Sequence, residues 1–303
     1  MAQEKTAASF AAQDEQQREQ AMARFAVLRP HLEDGVPLTR AADAAGIPVR
    51  TAGRWLARYR QAGMAGLART TRAALADPDT KAIFCTRGGY GSARLLPYLD
   101  PSLLPEPKLL VGYSDVTALH LAAALLWPRV HLVHGPSLVT REFLGPGPTC
   151  ERNRQSLHQA LFDPAYAVDE EVEFLIPGQA RGPLVGGCLS LMVSMLGTSF
   201  APVTDGAKLF LEDVGEAPYR VDRMLTQLRA AGPFDAIRGV MFGTMRNCKD
   251  AYNDVRDVIR DVLSGASFPV AFGLESGHSE TNLSLRLGAN AQLDVARGRF
   301  YLS

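Results

Sequence analysis

From Lys81 onward, short aliphatic and β-branched runs alternate with segments whose apolar residues recur at helical spacing. KAIFC, KLLV and VHLVH read as strands, and SARLLPYL and VTALHLAAALLW as helices between them. Strand–helix alternation predicts a parallel sheet. From about Leu144 the pattern weakens: GPGPTCERN, DPAYAVDEEVEF and IPGQARGP are rich in turn residues and charge, so 146–181 is expected to be an interdomain linker. A second globular part, 182–303, runs helix CLSLMVSMLG, strand KLFLED, helix YRVDRMLTQLRAAG, strand RGVMFGTM, helix NDVRDVIRDVLSG and strand FPVAFGLESGH. It ends in LSLRLGANAQLDVARGRFYLS, whose alternation, broken by Gly-Ala-Asn and Arg-Gly, predicts antiparallel hairpins. The expected fold class is therefore α/β: a small helical segment at 15–72, a truncated parallel α/β sheet domain at 73–145, the linker, and a β-rich C-terminal α/β domain.

Composition narrows the class. With 303 residues and 47% hydrophobic content the chain can bury two cores, which excludes wholesale disorder and a disulfide-stapled miniprotein. Cys85, Cys150, Cys188 and Cys248 stand far apart, with neither CxxC nor CxxH, and read as reduced thiols. His131 and His134 sit in a Val/Leu run that reads as a buried strand rather than a metal pair. The polar start MAQEKTAASFAAQDEQQREQ has no apolar signal core, and LHLAAALLW is too short to cross a bilayer, so the expected address is cytoplasmic, with no membrane partner.

A net charge of zero conceals an asymmetry: 35–72 holds seven arginines and one acid, Asp43. In LTRAADAAGIPVRTAGRWLARYR, Ala42, Ala45, Ile47, Val49, Ala52 and Trp55 recur at roughly helical spacing around a turn at Gly46, and Pro48 suits the first position of a following helix. Two short helices sharing an apolar inside are expected, with Arg50, Thr51, Arg54 and Arg58 on the outer face of the second, placed to contact nucleic acid. The segment resembles the helix-turn-helix of transposases and integrases. It reads equally well as a helical cap whose arginines are merely solvated, and Gly53 costs its second helix about 1 kcal/mol.

Candidate chemistry lies at strand ends. In KLLVGYSDVTALH an apolar strand runs through Gly-Tyr-Ser-Asp into a helix, which sets Ser114 on a tight turn with its hydroxyl exposed. The amide of Asp115, with that of Gly88 or Gly89 in RGGYG, could stabilise an oxyanion. Ser-Asp after a strand is also an ordinary helix cap. KLFLED stops at Glu212 and VAFGLESGH runs to His278, so an acid and an imidazole could converge on Ser114, although Asp213, Glu216 and Glu275 are rival acids. Arg87 could hold a substrate carboxylate or pin its own loop; Tyr90 could line the same pocket or pack beneath the sheet.

TRGGYGSARLLPYLD, LVGYSDVTALH, GGCLSLMVSMLGT, LFLEDVGEAPYRVDRMLTQL and GLESGHSETNLSLRLGANAQL, in this order, resemble the LD-carboxypeptidase family of serine peptidases, over about Ala74 to the C-terminus. The resemblance implies Ser114 as nucleophile, His278 as base and Glu212 as the acid that orients it. It further implies cleavage of terminal D-Ala from the L-diamino acid of murein tetrapeptide during cell-wall recycling, or, in a minority of members, cleavage of peptidyl-nucleotide antibiotics. It implies no metal or organic cofactor, and an active site between two domains that can close, commonly in a homodimer. The chain departs from the family twice. The helix-turn-helix-like segment stands where an opening strand–helix–strand portion is expected, leaving a sheet of about three strands; and Cys188 occupies a position where many relatives carry Asn. DNA binding and an inactive fusion remnant are the competing readings.

Overall fold

The computed structural model describes residues 27–32, 34–53, 56, 74–104 and 106–303. They fall into two compact units, divided after Ala74.

In the first unit, helix α1 (Leu38–Ala44) ends at a turn where Gly46 takes φ +65, a left-handed conformation that costs glycine little. The Ile47 N–H returns to the Ala42 carbonyl at 3.0 Å, and residues 49–53 are helical again. Leu28, Ala42, Ala52 and Leu56 form a small buried cluster inside the bend. Arg50 is exposed and Thr51 half-buried, whereas Arg54 and Arg58 lie outside the described residues.

The second unit, 75–303, is built on two sheets. In the first, β1 (Ala82–Phe84), β2 (Leu109–Gly112) and β3 (His131–His134) are parallel neighbours. A fourth strand, β10 (Leu285–Leu287), joins antiparallel to β3, so this sheet is not the three-stranded remnant expected. The LSLRL segment thus pairs with a strand about 150 positions earlier instead of opening a hairpin. The hairpin that does form joins β11 (Asn290–Asp294) to β12 (Arg299–Leu302).

The second sheet has the order β4-β12-β11-β6-β7-β8-β9-β5. Its parallel heart is β6 (Gln179–Cys188), β7 (Lys208–Val214), β8 (Gly239–Arg246) and β9 (Val270–Phe272). Its two outermost strands, β4 (Val168–Glu171) and β5 (Glu173–Ile176), are separated in sequence only by Val172, so the sheet curls almost into a closed wall. Val111, Val133, Phe210, Met241, Leu285 and Phe300 belong to one buried cluster that fuses both sheets.

The interval 146–181 is not an irregular connection. It carries helix α4 (Pro148–Phe162), β4, β5 and the start of β6. The helix buries Cys150, Asn153, Ser156, Leu157 and Ala160, a stripe too small and polar to register as hydrophobic periodicity. SARLLPYL forms a 3₁₀ helix, Ser92–Tyr98, rather than an α-helix; Pro97 inside it supplies no amide hydrogen for an α-helical ladder. Helices α2 (Thr117–Leu126), α3 (Arg141–Leu144), α5 (Leu189–Ser194), α6 (Pro218–Ala230) and α7 (Val255–Val262) complete the unit. Among the described residues no helix is long and apolar enough to cross a membrane.

Candidate active site

Strand β2 delivers Ser114 into a sharp turn, where its φ of +63 is a strained conformation for a side chain with a Cβ. The strain aims the hydroxyl out of the turn, and neighbouring contacts hold it there. The Asp115 carboxylate accepts the Ser92 N–H at 2.7 Å, which pins the end of the glycine loop against the serine turn. A Cβ on Gly88 would fall 2.7 Å from Ser114 Cβ and 3.0 Å from its Oγ, so only glycine permits this approach. On the other side, the Cys188 N–H donates to Thr117 Oγ1 at 3.0 Å, and a Cβ on Gly187 would lie 2.4 Å from the same oxygen. Gly187 thus lets helix α2 press onto the end of β6, whereas Gly186 makes room for the backbone of Phe210.

Glu212 lies on β7, fully buried, opposite Cys188 of β6. On its other flank the register with β8 slips between Leu211 and Asp213, a bulge that places Gly243 and Thr244 beside it. The loop carrying His278 drops into that gap. Thr244 donates to the Ser276 carbonyl from both its N–H, at 3.0 Å, and its Oγ1, at 2.9 Å, where a Cβ on Gly243 would clash at 2.4 Å. Gly277, at φ +113, then turns the chain so closely over Glu212 that a Cβ would sit 2.5 Å from Oε2.

These elements bring together three groups from widely separated parts of the chain. His278 Nε2 lies 2.9 Å from Ser114 Oγ, and His278 Nδ1 lies 2.7 Å from Glu212 Oε2, which also accepts the His278 N–H at 3.1 Å. With Nδ1 donating to the carboxylate, Nε2 is the lone-pair nitrogen facing the serine hydroxyl. Burial pulls the imidazole pKa down, but the hydrogen bond and charge of Glu212 outweigh it and hold His278 above its ordinary value. Burial raises the Glu212 carboxyl, and the hydrogen bond and charge of His278 offset that only in part.

The rival acids are engaged elsewhere. Asp213 caps helix α5, accepting the Ser190 N–H at 2.8 Å; Glu216 pairs with Arg220, and Glu275 with Arg152. Tyr90 is 81% exposed, which excludes packing beneath the sheet, and neither it nor Arg87 lines the cavity beside His278. A Cβ on Gly89 would lie 3.5 Å from the Arg87 guanidinium and near nothing of Ser114, unlike one on Gly88. Cys188 is buried, with Sγ 3.2 Å from Ser190 Oγ. His134 and His120 are fully buried and pushed toward the neutral form by burial, His120 to about 4. Among the described residues no group of three or more His, Cys, Asp and Glu could hold a metal ion.

Sequence reasoning missed Asn153. This fully buried amide of α4 donates to the carbonyls of Glu142 and Glu280, at 2.9 and 2.7 Å, and accepts the Asn282 N–H at 2.8 Å. Asn282 in turn receives the Gly277 N–H at 2.9 Å, so α4 anchors the His278 loop. Nothing in a polar helix sequence marks one amide out for this task.

The chain matches the descriptions of two family domains: LD-carboxypeptidase N-terminal domain over residues 21–135, and LD-carboxypeptidase C-terminal domain over 181–293. A Streptomyces coelicolor protein named as a carboxypeptidase is 39% identical over 236 residues, 76% of this chain and 74% of its own length. The chain belongs to the LD-carboxypeptidase family. It is accordingly a peptide hydrolase. The murein tetrapeptide carboxypeptidase of Pseudomonas aeruginosa is 30% identical over 236 residues, covering 74% of this chain and 75% of that protein. Among solved structures, the muramoyltetrapeptide carboxypeptidase of Oxalobacter formigenes superposes with a TM-score of 0.68 at 29% identity, over 78% of this LD-carboxypeptidase and 83% of that chain. The microcin C7 self-immunity protein MccF, at 23% identity and a TM-score of 0.69 over 78% of this chain and 80% of its own, shares the fold. The N-terminal match reaches back to residue 21, into the basic segment that motif reading had set apart from the family.

Proposed function

We propose that this enzyme is a serine-type LD-carboxypeptidase that releases terminal D-Ala from the L-diamino acid of murein tetrapeptide, with Ser114 as nucleophile, His278 as base and Glu212 as the acid that orients it. The hydrogen-bonded chain Ser114–His278–Glu212 carries the reading. His278 Nε2 takes the Oγ proton as the oxygen attacks the scissile carbonyl, and the imidazolium so formed returns it to the departing D-Ala amine. Water, deprotonated by the same nitrogen, then cleaves the acyl-enzyme. The amides of Asp115 and Gly88 are assigned to the oxyanion, because Gly88 is the loop glycine that approaches Ser114. Relatives named for murein tetrapeptide and muramoyltetrapeptide support the substrate class. By the same resemblance the reaction belongs in the cytoplasm, in cell-wall recycling, and in a homodimer.

The test is D-Ala release from a diamino-acid tetrapeptide by the purified chain. Wild type is expected to release it, chelator to change nothing, and Ser114→Ala to lower the rate by about 10⁴-fold or more. Equal slow release by wild type and Ser114→Ala would reject the assignment.

The exposed Arg50 beside the Gly46 turn supports a second role, DNA contact by the first unit. A salt-dependent gel shift weakened by Arg50→Ala is then expected. Affinity unchanged by that replacement counts against it.

A further inference from the structure

Among the described residues two lysines are buried, and only one of them has acceptors. Lys108 donates from Nζ to the Asp77 and Thr80 carbonyls, at 2.5 and 2.6 Å. Lys208, at the start of β7, is at least as deeply buried, and its Nζ has no hydrogen-bond partner. It stands opposite Leu184 of β6 and Gly239 of β8, at the end of β7 away from Glu212. Two guanidiniums act on it: Arg238 directly precedes Gly239, and Arg181 lies on β6. A Cβ on Gly182 would meet the Gly206 carbonyl at 2.4 Å and lie 3.7 Å from Arg238 Cγ, so bare backbone lets Arg238 close over this end of β6. Arg181 gives two donors to a neutral acceptor, Gln292 Oε1, at 2.8 and 2.6 Å. Among the described residues none of the three cations has a carboxylate partner.

Two guanidiniums with no acid disfavour a third positive charge and favour a negative one. Burial and the charges of Arg181 and Arg238 keep the Lys208 amine neutral above about pH 7, and its lone pair is then free to act as a nucleophile. A reagent that reaches so enclosed an atom must be small and uncharged. We propose that Lys208 is a carbamate-forming site, whose amine takes up carbon dioxide and whose product supplies the anion that Arg181 and Arg238 lack. The Nζ lone pair forms a C–N bond to the carbon of CO2, one C–O π pair moves onto oxygen, and one amine proton passes to solvent. The products are a carbamate and a proton, so the step needs no further reactant. A cation opposed by its surroundings becomes an anion supported by them, and carbon dioxide should thereby steady this end of the sheet. The site lies outside the proposed catalytic set and does not depend on which peptide is cleaved.

The experiment incubates the full chain with isotopically labelled bicarbonate at about pH 8, where the Lys208 amine is neutral and dissolved CO2 persists. Carbamates are observed by carbon NMR, then trapped by ethylation with triethyloxonium and located by peptide mass spectrometry. Lys208 is expected to carry the label at about tenfold or more the occupancy of the exposed Lys249, a difference that unfolding in urea should abolish. The comparison is made within one molecule, so it does not depend on any variant folding. Arg238 is exposed, and Arg238→Gln should leave the fold intact while lowering Lys208 occupancy by about threefold or more. Bicarbonate should raise the melting temperature of wild type by about 2 °C or more over matched chloride, and leave that of Lys208→Met unmoved. Equal labelling of Lys208 and Lys249, or an occupancy unmoved by Arg238→Gln, overturns the proposal. So does a melting shift that phosphate matches with no label on Lys208, the outcome if the cluster binds anions without forming a bond.

Discussion

His278 donates from Nδ1 to a buried carboxylate and faces Ser114 with Nε2, so its protonation state governs the hydroxyl. In the proposed mechanism His278 is the base and must be neutral to act, and Glu212 holds this imidazole above its ordinary value of 6.5. Activity should therefore rise with pH along an acid limb centred above 6.5, a midpoint readable from kcat/KM against pH. Glu212→Gln removes the charge that favours the imidazolium, so the limb should move to lower pH while kcat falls; a limb that stays in place would place its cause outside this pair. Gly277 offers a test by shape alone. Its φ of +113 and the 2.5 Å approach of a Cβ to Glu212 Oε2 predict that Gly277→Ala costs about 1–3 kcal/mol in urea unfolding and loses activity beyond its loss of fold. That Ser114, Glu212 and His278 lie at or shortly beyond the ends of apolar runs was legible, whereas the choice of Glu212 over Asp213, Glu216 and Glu275 came from the family resemblance. Their convergence was not legible, since it depends on a β-bulge that no local pattern announces.

Among elements, α4 holds the His278 loop through Asn153, and it is one the sequence hid. Its buried face presents Asn153 and Ser156, so the apolar stripe that betrays α6, with Val221, Leu225 and Leu228 inside, is missing. Strand β4 was obscured similarly: VDEE buries Val168 fully while Glu171 is exposed, as suits a strand at the margin of a sheet. Asn153→Ala strips the Asn282 N–H of its acceptor and two carbonyls of their donor. Thermal or urea unfolding should register a loss of about 2–4 kcal/mol, with kcat reduced more than KM because the loop that aims His278 loosens. The parallel strands β2, β3, β7 and β8, in contrast, were plain in the sequence, because continuous apolar runs are what a sheet covered on both faces requires.

At the scale of the molecule, Glu212 of the candidate site lies toward one end of β7 and Lys208 at the other. This lysine is fully buried, its Nζ has no hydrogen-bond partner, and burial, aided by the charges of Arg181 and Arg238, lowers its pKa to about 7. The unfolded chain binds that proton up to about 10.5 and the folded chain releases it near 7, so folding works against the lysine's charge at neutral pH. Stability should rise as pH climbs from about 7 toward 10.5, and Lys208→Met should raise the melting temperature at pH 7 and flatten that rise. A melting curve for Lys208→Met with the wild-type pH slope would assign the slope to other groups. Composition and alternation were enough to establish α/β architecture, but not that 75–303 would fold as one compact unit.

Strand β10 begins seven positions after His278 and is laced into the sheet that carries Ser114, through its pairing with β3. Ser114 Oγ and His278 Nε2, the proposed attacking oxygen and proton acceptor, are thereby riveted to a common frame. Their alignment precedes any encounter with a peptide, so a tetrahedral mimic such as a boronic acid should seat itself in a single kinetic phase, without the slow tightening seen when an enzyme must first reshape itself.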